Sequence, residues 1–125
     1  NRGFKALPIA ASQIADWELH VGHLPHILIA EQAGLGWIGR SNLLVNPEHG
    51  ARVRYSTVLT DIPLSPDAPL SGECGDCKKC IEVCPARAIS ESGFDRAKCL
   101  SKVKEFSKRR GIGVMICGLC VRVCR

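Results

Sequence analysis

A chain of 125 residues, 46% apolar and 23% charged, can bury the modest core of one domain and has the composition of an ordinary globular protein. No apolar run reaches the length of a membrane span, and the opening NRGFKALPIAAS has no charged start followed by a signal-type apolar stretch, so neither spanning nor export is expected. The formal charge of +5 leaves nucleic acid or an acidic protein open as a partner, and the eight cysteines all fall between Cys74 and Cys124.

In chain order, the first feature is histidine. HVGHLPH sets His20, His23 and His26 at three-residue intervals, but Gly22 and Pro25 interrupt a regular helix there, so the three rings need not share a face. A single histidine is the better candidate for chemistry, because imidazole titrates near neutral pH and can serve as a proton donor. Trp17 and Trp37 are expected to pack the core. In LPHILIAEQA, the residues Leu24, Ile27, Leu28 and Ala33 recur near helical spacing, and Gly34 stands where a helix C-cap glycine belongs.

Residues 34–39 then read GLGWIG, which fits the GxGxxG pattern of dinucleotide-binding loops. That pattern cradles a pyrophosphate only when a strand precedes it and a helix follows. Here the flanks run the other way. RSNLLVNPEHG predicts a short strand stopped by Asn46-Pro47, and RVRYSTVLT predicts a second strand. Asp61 lies about twenty residues beyond the loop, as a ribose-binding acid would, but helix, glycine loop and strand is the wrong order.

CGDCKKCIEVCP supplies Cys74, Cys77, Cys80, Cys84 and Pro85, the CxxCxxCxxxCP run of bacterial ferredoxins. Two-residue gaps let a tight loop place three thiolates on one cubane, while the fourth is carried away by the next turn. In two-cluster proteins that fourth cysteine ligates the other cluster. CGLCVRVC provides Cys117, Cys120 and Cys124, with Cys99 between the two motifs. The expected sets are therefore Cys74, Cys77, Cys80 and Cys124 for one 4Fe-4S cluster, and Cys84, Cys99, Cys117 and Cys120 for the other. Zinc more often takes two separated CxxC pairs, and a disulfide framework belongs to an oxidising compartment. Two clusters held by four thiolates each would add roughly two negative charges apiece, leaving the loaded chain at about +1.

Ile81, Val83, Ile89, Ile116, Leu119, Val121 and Val123 are expected to shield the clusters, to serve as core, or both. Asp95 can cap a helix with Leu100, Val103 and Phe106 on its apolar side, ending near Gly111. Its outer face is basic, with Lys102, Lys104, Lys108, Arg109 and Arg110. RNA phosphates or an acidic electron donor could meet it, though a solvated face is the commoner explanation.

The order AEQAGLGWIGRSNLLVNPEHG, VLTDIPL, CGDCKKCIEVCPARAI, Cys99 and CGLCVRVC resembles the iron–sulfur reductases related to epoxyqueuosine reductase, over residues 20 to 124. The resemblance implies an α+β fold: a partial cobalamin-binding core over residues 1–70 and a ferredoxin-like double 4Fe-4S region over 71–125. It further implies cytoplasmic location, a low-potential electron donor, and passage of electrons through the clusters to cobalamin. The substrate class it implies is tRNA or a small electrophile. The alternative is an electron-transfer module without a substrate of its own.

In this resemblance Gly34, Gly36 and Gly39 allow close backbone packing beside the corrin, and Leu44, Tyr55 and Ser101 match corrin-contacting positions. Counting back without gaps, the family's aspartate proton donor falls on His20. The loop reads GRSN where the family commonly has GKN, and parts of the family's chain at both ends have no counterpart. A truncated paralogue with another substrate is the expectation.

Overall fold

The computed structural model describes residues 3–11, 13–18 and 21–125. In chain order its elements are β1 (Ala6–Ile9), β2 (Ile14–Asp16), β3 (Val21–Gly22), α1 (His26–Gln32), β4 (Trp37–Ile38), β5 (Leu44–Val45), β6 (Thr57–Thr60), α2 (Lys79–Glu82), β7 (Ile89–Ser90), β8 (Gly93–Phe94), α3 (Arg96–Ser107) and α4 (Leu119–Val123). Among the described residues the strands form four separate antiparallel pairs, β1–β6, β2–β3, β4–β5 and β7–β8. This mixture of helix and strand is the expected α+β class. None of the described helices is long and apolar enough to cross a membrane.

The predicted N-terminal helix forms as α1 and stops where the glycine requires. Gly34 has φ +71°, its N–H donates to the carbonyl of Glu31, and the Leu35 N–H reaches back to Ala30, both at 3.0 Å. These two bonds satisfy the last helical carbonyls in a Schellman arrangement, which an L side chain at Gly34 would strain. The chain leaves into the β4–β5 hairpin, whose turn places Asn42 at φ +57°, a conformation that asparagine tolerates better than most residues. Glu31 accepts from the Ile38 N–H at 3.2 Å, and Asn46 Nδ2 donates to the Leu35 carbonyl at 3.0 Å. Helix, glycine loop and hairpin are thus fixed to one another.

Two expectations need correction. RVRYSTVLT is strand only at Thr57–Thr60, because its partner β1 offers four residues and no strand among the described residues pairs with 52–56. Trp17 is 69% exposed, since it lies in the turn beyond the paired residues of β2 and β3. Trp37 is half-buried. The buried apolar residues gather in two places: Ala30, Leu44, Val45 and Ala51 around α1 and its hairpin, and Ala88 with Ile89 at β7.

The Asp95 cap forms as read. Its carboxylate accepts from the Lys98 N–H at 3.0 Å, and this bond holds the Asp95 carboxyl below its ordinary pKa. Regular helix ends at Ser107, and tighter turn bonds carry the chain on to Ile112, past Gly111.

Candidate metal centre

Each cysteine motif is a tight turn followed by a short helix. The Cys77 N–H closes back on the Cys74 carbonyl at 3.0 Å, and α2 then carries Cys80. In the second motif Gly118 opens α4, which carries Cys120, and Cys124 follows its end. Cys99 sits in the first half of α3, and α2 packs on α4, so the two motifs face each other.

This packing sorts the thiols. Burial pushes the Cys80 thiol above its ordinary pKa, and the neighbouring thiols of Cys74, Cys77 and Cys124 push it further. Burial raises Cys99 as well, with Cys84 and Cys117 adding to it. Cys120 is raised by burial, then by Cys117 and Cys99. The neighbours therefore fall into two quartets, each drawing one cysteine across from the other motif. All eight thiols are free, and Cys77 is the exposed one.

Among the described residues, no three His, Cys, Asp or Glu side chains close to the spacing of a single-ion site. A cubane does not require that spacing, because its corners stand wider apart than the ligands of one ion. The donor set, four soft thiols per group, suits an iron–sulfur cluster. The Ala88 N–H donates to Cys84 Sγ at 3.3 Å, the kind of bond that tunes a cluster's potential.

The first quartet lies against the glycine loop. A Cβ on Gly39 would stand 2.7 Å from Val45 Cγ2 and 3.2 Å from Cys74 Sγ, and a Cβ on Gly50 would stand 2.4 Å from the Cys124 carbonyl oxygen. Arg40 Nη2 donates to the Gly75 carbonyl, and the Trp37 ring covers Gly72. Gly34, Gly36 and Gly39 each stand close to this chain's own residues, chiefly Ala68, Val45 and Cys74. Gly50, Arg40 and Gly72 carry no local signal in sequence, because their partners lie far along the chain.

The other sequence candidates are less gathered. His20 lies outside the described residues. His23 is exposed, while His26 Nδ1 shares a 2.7 Å hydrogen bond with Thr57 Oγ1. Leu44 is 2% exposed inside the hairpin, so its side chain serves as core. Leu44→Ala should cost about 2–4 kcal/mol of stability, measured by denaturant unfolding. Ser101 lines a shallow cavity with Pro85, Arg87, Lys98, Lys102 and Glu105, to which no described residue of 1–70 contributes.

Tyr55 differs. Its hydroxyl is buried without a hydrogen-bond partner, as are His26 Nε2, Trp37 Nε1 and Arg40 Nε, and burial raises the Tyr55 pKa. These four polar atoms, all within residues 26–55, are left without a protein partner among the described residues.

Of the shielding residues, Ile89 is buried and Ile81, Val83, Val121 and Val123 are half-buried. Ile116, in the loop before Cys117, and Leu119, at the start of α4, are exposed.

No family model matches the chain. An epoxyqueuosine reductase of Bacillus cereus is 32% identical over 112 residues, covering 82% of this chain and 30% of the relative. An epoxyqueuosine reductase solved with a tRNA-Tyr epoxyqueuosine-modified stem loop is 26% identical with a TM-score of 0.69, covering 97% of this chain and 32% of that one. A catabolic reductive dehalogenase solved with 3-bromo-4-hydroxybenzoic acid is also 26% identical, with a TM-score of 0.73, covering 97% of this chain and 18% of that one.

Fold and sequence together relate the chain to oxidoreductases. Within them it belongs to the epoxyqueuosine reductase-like family. It spans about 30% of the length of the first curated relatives it matches.

Proposed function

We propose that the chain is a cytoplasmic iron–sulfur oxidoreductase module. In this reading Cys74, Cys77, Cys80 and Cys124 hold one 4Fe-4S cluster, Cys84, Cys99, Cys117 and Cys120 hold a second, and residues 26–55 carry contacts to cobalamin. The observation that carries it is the sorting of eight thiols into two crossed quartets, one of them against the glycine loop. When bound, the clusters would supply one-electron transfer and cobalamin the two-electron reduction of an electrophilic substrate. Half-buried apolar residues of α2 and α4 would limit water at the thiolates, and the Ala88 N–H would stabilise charge on Cys84.

The substrate stays at the level of an electrophile, tRNA-borne or small. One similar structure was solved with a modified tRNA stem loop and another with a bromoaromatic acid, at nearly the same coverage of this chain. His20 is the proposed acid in this reading.

Tyr55→Phe tests the cobalamin part. Without cobalamin the variant should unfold no more readily than the parent, because the hydroxyl has no partner to lose. With cobalamin titrated in, its affinity should fall roughly tenfold, the loss of one buried hydrogen bond. Equal affinities measured by the visible spectrum would remove Tyr55 from the site. A second reading, electron transfer with no cobalamin, is favoured by the burial of Leu44 and by the separate cavity that holds Ser101. Absence of any cobalamin response in the parent chain selects it.

A further inference from the structure

The stretch from the end of α3 to α4 combines charge and exposed apolar surface. Residues 96–125 hold nine Lys and Arg but one acid, Glu105. Glu105 is already engaged by Lys102 at 2.6 Å and Arg109 at 3.2 Å. Lys104 and Lys108, one turn apart on the exposed side of α3, and Arg110 just beyond, have no ion-pair partner among the described residues. Like charges at that spacing repel, so helix stability does not account for them.

The chain then turns, with the Ile112 N–H on the Arg109 carbonyl at 3.1 Å, and presents Val114 at 58% and Ile116 at 51% exposure. Ile116 leads directly into Cys117. A basic segment that runs along the chain into an exposed apolar one ending at Cys117 has the composition of a docking surface for a negatively charged protein.

We propose that this face receives an acidic one-electron carrier protein of the iron–sulfur or flavin class, which delivers electrons to the quartet of Cys84, Cys99, Cys117 and Cys120. The proposal rests on the two-cluster reading above. With a cluster bound there, each encounter would oxidise the carrier by one electron and reduce the cluster by one, with no bond made or broken. The other quartet, against Gly39 and Gly50, then lies on the side toward residues 26–55.

The obvious rival, RNA, is less well served. Phe106 is the one aromatic residue of α3 and the loop, and its half-buried ring lies beneath Arg109 at 4.7 Å and Lys102 at 6.0 Å. It offers no open stacking platform. An exposed Val-Met-Ile run also gains nothing from phosphates.

The test measures association of the iron-loaded protein with an acidic two-iron ferredoxin, by a binding readout independent of turnover. Its variants are the triple charge reversal Lys104→Glu, Lys108→Glu, Arg110→Glu and the surface change Val114→Ser. Association by the parent should weaken with salt. The triple variant should associate about tenfold or more slowly with a flattened salt dependence, and Val114→Ser should dissociate several-fold faster. No binding by the parent, or equal binding by both variants, overturns the proposal. Loss of affinity for an RNA stem loop with ferredoxin binding intact also overturns it and assigns the face to RNA. If the triple variant loses iron, Val114→Ser still reads the same surface. Iron content, measured first, separates this outcome from failure of the two-cluster reading itself.

Discussion

Cys84→Ala should remove the cluster built mainly by Cys99, Cys117 and Cys120, lowering bound iron from about eight per chain toward four. The expectation runs against sequence proximity, since Cys84 stands four residues from Cys80. It follows from proximity in space: Cys99 has Cys84 and Cys117 among its neighbours, whereas Cys80 has Cys74, Cys77 and Cys124. The turn after α2 carries Cys84 away, and its Sγ accepts from the Ala88 N–H at β7. Cys124→Ala should do the converse and spare the Cys99 quartet. Electron paramagnetic resonance of the reduced variants distinguishes the two losses. Loss in Cys84→Ala confined to the Cys74, Cys77 and Cys80 group would overturn the crossed assignment.

Gly50→Ala should be more damaging than its position at the end of an exposed turn suggests. Two costs combine. Gly50 has φ +61°, where an L residue is strained by about 1–2 kcal/mol. Its new Cβ would also meet the Cys124 backbone, with the carbonyl oxygen at 2.4 Å and the carbonyl carbon at 2.7 Å, contacts that no rotamer relieves. Displacing the C-terminal turn should add about 1–3 kcal/mol and move Cys124 away from its quartet.

Gly113→Ala is the control, because φ there is +63° and nothing lies within 4 Å of the added carbon. Denaturant midpoints and iron content measured in parallel separate backbone strain from collision. Equal effects of the two substitutions would mean that the Gly50 contact does not position Cys124.

These two sites mark the boundary of what the sequence discloses. Cysteine spacing is legible because the geometry of a cluster is written as short gaps in one stretch of chain, and Asp95 and Gly34 are legible because helix ends are satisfied locally. The Gly34–Gly39 segment looked like a dinucleotide loop because glycines mark close approach without naming what approaches. Here the neighbours are Ala68 at Gly34, Val45 at Gly36, and Val45 with Cys74 at Gly39. The Gly50–Cys124 and Arg40–Gly75 contacts join residues more than thirty positions apart, and no periodicity announces them. Trp17 has the size of a core residue, yet burial depends on whether another layer covers the β2–β3 turn. The strand predicted over 52–60 shortened for a similar reason, because the length of β1 limits the pairing of β6.

The most direct test of the two-cluster account is anaerobic reconstitution with iron and sulfide, followed by an iron and acid-labile sulfide count. The account predicts a brown protein with about eight of each per chain and the absorption of 4Fe-4S clusters. A colourless chain that instead takes up zinc through the same cysteines would contradict it.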